Sequence, residues 1–187
     1  MQVMLMCGSL REGSFNRKLL LACGKLLEEH GAKLDRIDLR EYAVPSYDGD
    51  LETRSGVPDA TKRLQEKFRG CDAWVIASPE YNHSIPGHFK NTLDWLTRLK
   101  PVPWKGKPTL LLSASPGLTG GNRGLWALRV PIEATGAVVY PEMYSLAQAG
   151  DAAFSGDLLS DEAKQKRLIG LVDEFLRFAG ALSAVGA

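Results

Sequence analysis

The period of the apolar positions changes repeatedly along this chain, and each change marks an element. Residues 2–7 are almost wholly apolar and run into a glycine, the pattern of a strand buried on both faces. Leu19, Leu20, Cys23, Leu26 and Leu27 then recur at helical spacing, and Gly31 sits where such a helix stops. Lys33 to Leu39 reads as a second strand. The stretch from Arg40 to Val57 mixes tyrosines, glycines, a proline and charges. It predicts a long loop, and long loops in compact domains are often functional. Pro58 opens a helix whose inner face is Ala60, Leu64 and Phe68, ending at Gly70. Ala73 to Ala77 is a third strand, and Pro86-Gly87 opens a helix with Phe89, Leu93 and Leu96 on one side.

Thr109 to Leu112 reads as a fourth strand, followed by a glycine-rich loop from Ser113 to Gly124. A helical stretch runs from there to Thr135, and Pro131 predicts a kink or two short pieces, because proline lacks an N–H. Ala137 to Val139 is a short fifth strand. Ser160 is placed to cap a last helix striped by Leu168, Leu171, Val172, Phe175, Leu176, Ala179 and Leu182. Five strands alternating with five helices predict a parallel sheet covered on both faces. With no repeat or linker in sight, residues 1–187 read as one doubly wound α/β domain.

Composition narrows the classes without choosing among them. Lys and Arg total 23 and Asp and Glu 22, a formal charge of +1. That balance argues against a basic nucleic-acid binder and against a strongly acidic electron carrier. Hydrophobic residues reach 44%, enough for a packed core, while the apolar runs are too short to span a bilayer. Cys7, Cys23 and Cys71 are widely spaced and form no CxxC, so they read as small buried hydrophobes. The run from Val3 to Gly8 has no basic start and is too short for a signal, which makes it a buried strand of a cytoplasmic protein.

In doubly wound sheets, ligands bind beyond the carboxyl ends of the strands where the strand order reverses. Three loops there carry unusual chemistry. The first, Gly8 to Asn16, offers small residues, the hydroxyls of Ser9 and Ser14, the Asn16 amide, the Arg11 guanidinium and a helix N-terminus. These are the parts of a phosphate site. Gly8 and Gly13 have P-loop spacing, but the lysine that should follow is absent, and Leu10 breaks the GxGxxG of a dinucleotide site. A mononucleotide phosphate without a metal remains. The second loop, Ser78 to Gly87, suits the edge of a flat heteroaromatic ring as well as it suits a proline-rich turn. The third, Ser113 to Gly124, permits close approach to the same ring, and Arg123 in it suits either a phosphate or solvent.

At these residues the sequence resembles the NADPH-dependent FMN reductase family of flavodoxin-like proteins, which includes quinone, azo and chromate reductases. The matching text is Gly8-Ser9-Leu10-Arg11 with Ser14-Phe15-Asn16, then Ser78-Pro79-Glu80-Tyr81-Asn82. Pro86-Gly87 with Lys90-Asn91 and Asp94-Trp95 follows, then Gly120-Gly121 with Arg123 and Leu128-Arg129. The resemblance implies a flavodoxin-like five-stranded parallel sheet and bound FMN. It implies that Ser9, Arg11, Ser14 and Asn16 hold the phosphate, with Phe15 in the same site. It places Pro79, Glu80, Tyr81 and Asn82 along the isoalloxazine, Ser115 and Gly117 near it, and His83 and Arg123 in an outer substrate pocket.

The resemblance further implies NADPH or NADH as donor, small-molecule acceptors (quinones, azo compounds, flavins or metal oxyanions) used in a ping-pong scheme, and a homodimer or homotetramer. Backbone N–H groups of the second loop would stabilise the reduced flavin, with Tyr81 packing rather than donating a proton. The alternative is a flavodoxin-like electron-transfer or signalling module with no substrate of its own. The chain departs from the family pattern at His83 and His88 and in the fourth helix at Gly124-Leu125-Trp126 and Pro131. Arg11, Arg17 and Arg123 are the candidates for an NADPH 2′-phosphate. The three histidines, His30 among them, lack metal-ligand spacing, so no metal or nucleic acid is expected. Trp74 and Trp95 read as core or interface, Trp104 as an interface candidate, and Trp126 as core or interface.

Overall fold

A computed structural model describes residues 1–185. Strands β1 (Gln2–Cys7), β2 (Lys33–Ile37), β3 (Ala73–Ala77), β4 (Pro108–Ala114) and β5 (Val138–Val139) form one parallel sheet in the order β2-β1-β3-β4-β5. Helices α1 (Phe15–Glu29), α2 (Gly49–Ser55), α3 (Asp59–Arg69), α4 (Gly87–Leu96), α5 (Asn122–Ala134) and α6 (Glu162–Val185) connect and cover it. The strand order reverses between β1 and β3, so the loops after those two strands flank the switch point.

Successive strand residues face opposite sides, and this period builds two cores. Val3, Leu5 and Cys7 of β1, with Val75 of β3 and Leu110 and Leu112 of β4, pack against α1 and α6. Met4, Met6, Trp74, Ile76 and Leu111 pack on the other face against α3, α4 and α5. Because both faces are covered, the central strands read as continuous apolar runs rather than alternating ones.

Several expectations are corrected. The fifth strand is split: Val138 and Val139 pair with Pro108 and Thr109, and a further strand, β6 (Tyr144–Leu146), pairs with Leu112 to Ala114. Four residues, Tyr140 to Met143, stand opposite Leu110 and Leu111, and Pro141 among them has no N–H for a ladder. The predicted long loop contains a 3-10 turn, Leu39–Tyr42, and the helix α2, so the described residues form six α-helices rather than five. Helix α2 buries none of its residues, which is why apolar periodicity does not reveal it; Asp48 caps it, accepting from Asp50 N at 2.9 Å.

Pro131 lies inside an unbroken helix, not between two pieces, and its carbonyl accepts from Thr135 Oγ1 at 2.6 Å. Asp161, not Ser160, caps α6, with Oδ1 accepting from Lys164 N at 2.9 Å. A short hairpin, β7 (Phe154–Ser155) and β8 (Leu158–Leu159), precedes α6, and Phe154 stacks on Phe15 at 6.3 Å. Trp104 is fully buried against Phe68 and Trp74, so it is core and not interface. Trp126 is 57% exposed, so it is not core.

Candidate functional site

Ser9, Arg11, Ser14, Phe15, Asn16, Pro79, Glu80, Tyr81 and Ser115 line one cleft at the switch point, together with Ala114 and Pro116. Asn82 sits at the tip of the turn beside it, and Gly117 follows in the third loop. Residues of three loops far apart in sequence thus meet at one place.

The first loop leaves β1 at Gly8, whose N–H donates to Ala77 O at 2.8 Å. A Cβ on Gly8 would lie 3.0 Å from Ser78 Oγ and 3.1 Å from the Phe89 ring, so a larger residue there would press on the second loop and α4. Ser9 and Ser14 are both buried. Ser9 Oγ accepts from Arg11 N at 3.4 Å, and Ser14 Oγ caps α1 by accepting from Arg17 N at 3.3 Å. Each hydroxyl therefore keeps its own O–H to donate. The first-turn N–H groups of α1 have no intrahelical acceptor, and the helix dipole adds partial positive charge. Arg11 is exposed and makes no ion pair among the described residues. An anion rich in oxygen satisfies all of these donors.

Asn16 is used differently. Its Nδ2 donates to Ala114 O at 2.9 Å, and its Oδ1 accepts from Ala114 N at 3.0 Å. The buried amide ties the loop to the end of β4 and leaves one Nδ2 hydrogen. Arg17, a sequence candidate for the 2′-phosphate, is absent from the cleft. It lies behind the loop in a crevice with Leu5, Cys7, Ile37 and Asp38.

The second loop carries a tight turn. Tyr81 N donates to Ser84 O at 2.9 Å and Ser84 N to Tyr81 O at 3.0 Å. Asn82 and His83 between them both have positive φ, 50° and 62°. This is the pattern of a type I′ turn, which asparagine tolerates and a β-branched residue does not. It also spends the Tyr81 N–H, leaving Glu80 and Asn82 with N–H groups that have no acceptor among the described residues. The Glu80 side chain has a structural partner: Oε2 accepts from Gly124 N at 3.1 Å, capping α5 from outside its own segment. No local sequence signal announces a cap 44 residues distant.

His83 and Arg123 meet at the rim, with Arg123 Nη1 donating to His83 Nδ1 at 2.9 Å. Arginine can only donate, so Nδ1 holds a lone pair, and the 3.4 Å approach of Glu80 Oε1 to it is not a hydrogen bond. His88 lies on α4, and burial pushes its pKa below the ordinary histidine value. The Lys90-Asn91 and Asp94-Trp95 motif is structural: Asn91 Nδ2 and Trp95 Nε1 each donate to Pro45 O at 2.8 Å. Lys90 pairs with Asp94 at 2.6 Å. Asn91 and Trp95 strap the segment between β2 and α2 to α4, while the Lys90–Asp94 pair lies within α4.

The third loop folds back on residues that the sequence reading left unassigned. Ser115 N donates to Leu146 O at 3.1 Å, Ala149 N to Ser115 O at 2.9 Å, and Gln148 N to Gly117 O at 3.1 Å. Gly121 (φ +84°) ends the loop, and a Cβ there would lie 2.0 Å from Ser113 Oγ. Ser113 is fully buried, and its hydroxyl has no partner among the described residues.

A doubly wound sheet with an oxyanion cradle at its switch point and no P-loop lysine defines a mononucleotide-binding α/β protein of flavodoxin-like type. Comparison with known proteins makes this specific. The sequence model of the NADPH-dependent FMN reductase family matches residues 1–151, and the chain belongs to that family of oxidoreductases. It is 40% identical over 130 residues to a quinone reductase of Escherichia coli (strain K12), covering 69% of this chain and 68% of that one. It is 32% identical over 166 residues to an NAD(P)H-dependent FMN reductase of Pseudomonas aeruginosa, covering 88% of each. Among solved structures, the flavoenzyme NAD(P)H:(acceptor) oxidoreductase FerB of Paracoccus denitrificans superposes with a TM-score of 0.84. It is 33% identical and covers 96% of this chain and 97% of that one. A flavodoxin of Pseudomonas aeruginosa shares the fold at a TM-score of 0.57 and 15% identity, covering 98% and 99%. Among the described residues, no helix is long and apolar enough to cross a membrane.

Proposed function

We propose that the cleft holds FMN and that the protein is an NAD(P)H-dependent reductase of quinones. One observation carries this reading. Two buried serine hydroxyls each accept an N–H and keep an O–H to donate, and the unpaired Arg11 stands with them in the cleft. That donor set fits the terminal phosphate of FMN.

Ser9, Ser14 and Arg11 would hold the phosphate, with the remaining Asn16 Nδ2 hydrogen and the first N–H groups of α1. Pro79 to Asn82, Ser115 and Gly117 would border the ring. When bound, FMN supplies a two-electron carrier that accepts hydride from NAD(P)H and passes it on. The unpaired N–H groups of Glu80 and Asn82 are the chain's donors for negative charge that develops there, held in place by the turn rather than gathered during reaction. Overall, NAD(P)H, a proton and a quinone give NAD(P)+ and a hydroquinone. Donor and acceptor use this one cleft in turn, a ping-pong order. Azo compounds, free flavins and chromate are further acceptors.

The reading includes a homodimer or homotetramer. Its support is an apolar face on and beside α5, where Leu118, Trp126 and Val130 are 83%, 57% and 69% exposed. Its setting is the cytoplasm, and residues 1–187 act as one domain. The purified protein should be yellow, release FMN on denaturation, and bleach with NADPH or NADH before re-oxidation by a quinone. A chain that binds no FMN when supplied with it refutes the reading.

A further inference from the structure

Arg17 was a substrate-phosphate candidate by sequence, yet the fold turns it to the back of the phosphate loop. Its Nη2 donates to the carbonyl of Ser9 at 3.4 Å, and Nη1 lies 3.5 Å from Asp38 Oδ2. Its backbone N–H meets Ser14 Oγ at 3.3 Å. One residue thus touches both serines of the cradle from the side away from the cleft. Asp38, at the end of β2, is itself clamped: Arg40 N and Nε each donate to its Oδ1 at 3.0 Å. The Arg17 Nε is buried with no partner among the described residues. An unpaired buried guanidinium N–H is costly, and an apolar side chain would fill the same crevice of Leu5, Cys7, Leu20 and Ile37 at lower cost.

We infer that Arg17, held by Asp38 and Arg40, is a positioning residue for the phosphate end of the flavin site. The inference rests on the FMN reading above. A carbonyl lone pair facing a phosphate repels it, and Arg17 keeps the Ser9 carbonyl turned back. Arg17 lies outside the cleft and acts through Ser9 and Ser14.

The test is flavin titration of the full chain after its flavin has been stripped, followed by fluorescence quenching, with FMN and with riboflavin. Riboflavin has the same ring and lacks the phosphate. Arg17→Met keeps the crevice filled and should raise the FMN Kd about tenfold, the scale of a lost charged hydrogen bond, with no loss of riboflavin affinity or of the urea midpoint. Asp38→Asn separates positioning from charge. If Asp38 holds Arg17 in place, this variant binds FMN more weakly; if charge alone matters, removing an anion tightens FMN. An unchanged FMN Kd in Arg17→Met, equal losses for both flavins, or tighter FMN binding in Asp38→Asn would overturn the inference. A wild-type chain that binds no FMN would instead overturn the reading beneath it.

Discussion

Gly121→Ala tests whether the third loop is held by the contacts described. Gly121 sits at φ +84°, and an added Cβ would lie 2.0 Å from Ser113 Oγ and 3.0 Å from Ser113 Cβ. Two penalties follow. The left-handed backbone costs an L-residue about 1–2 kcal/mol. Forcing extra volume against a fully buried neighbour costs about 1–3 kcal/mol. The variant should therefore lose about 2–5 kcal/mol in all. Ser113→Ala divides the sum. That hydroxyl has no partner, so its removal alone should lie within about 0.5 kcal/mol of wild type. In that background the clash with Oγ is gone and the backbone penalty stays. Gly121→Ala should then cost at least about 1 kcal/mol less than in wild type. Urea unfolding of the flavin-free chain measures all four corners of the cycle. The reasoning fails if Gly121→Ala is as stable as wild type, or if the two substitutions are additive.

Three further outcomes are expected. Arg11→Ala should weaken FMN binding by about 1.5–3 kcal/mol, the value of a charged hydrogen bond, as read by titration of the flavin-free chain; unchanged affinity would remove Arg11 from the cradle. At the turn, Asn82→Gly should be tolerated, whereas Asn82→Val should cost about 1–2 kcal/mol and slow turnover, because φ is 50° there; equal stability of the two variants would contradict the turn. Asp38 has its pKa lowered from 3.8 to about 2, first by the Arg40 side-chain hydrogen bond. Its stabilising effect is present above about pH 4 and is lost as pH falls towards 2, amounting to at most about 2 kcal/mol before solvent screening. Asp38→Asn should flatten the acid limb of stability against pH, and an unchanged limb would refute the assignment.

The strands and most helices were legible in the sequence because they bury fixed faces. The two-faced burial of β1 and β3 shows as apolar runs, and the stripe of α6 shows as helical spacing. Helix α2 was not legible because it buries nothing. The split fifth strand was hidden too, since two- and three-residue strands have no period to read. In the site, Ser9, Arg11 and Ser14 could be read from one short segment whose residue types match an oxyanion. The side-chain partners of Glu80 and Asn16 were not legible. Their side chains serve Gly124 and Ala114, partners 44 and 98 residues away.

By itself, then, the chain determined the alternation of strand and helix, the near-neutral charge and the donor-rich first loop, all of which depend on neighbours within a few residues. The tertiary structure decided which donors face the ligand. It turned Arg17 to the back of the cradle, set Arg123 against His83, and spent the Tyr81 N–H within its own turn. A hydrogen bond has direction, and which way a donor points depends on residues brought together only by folding.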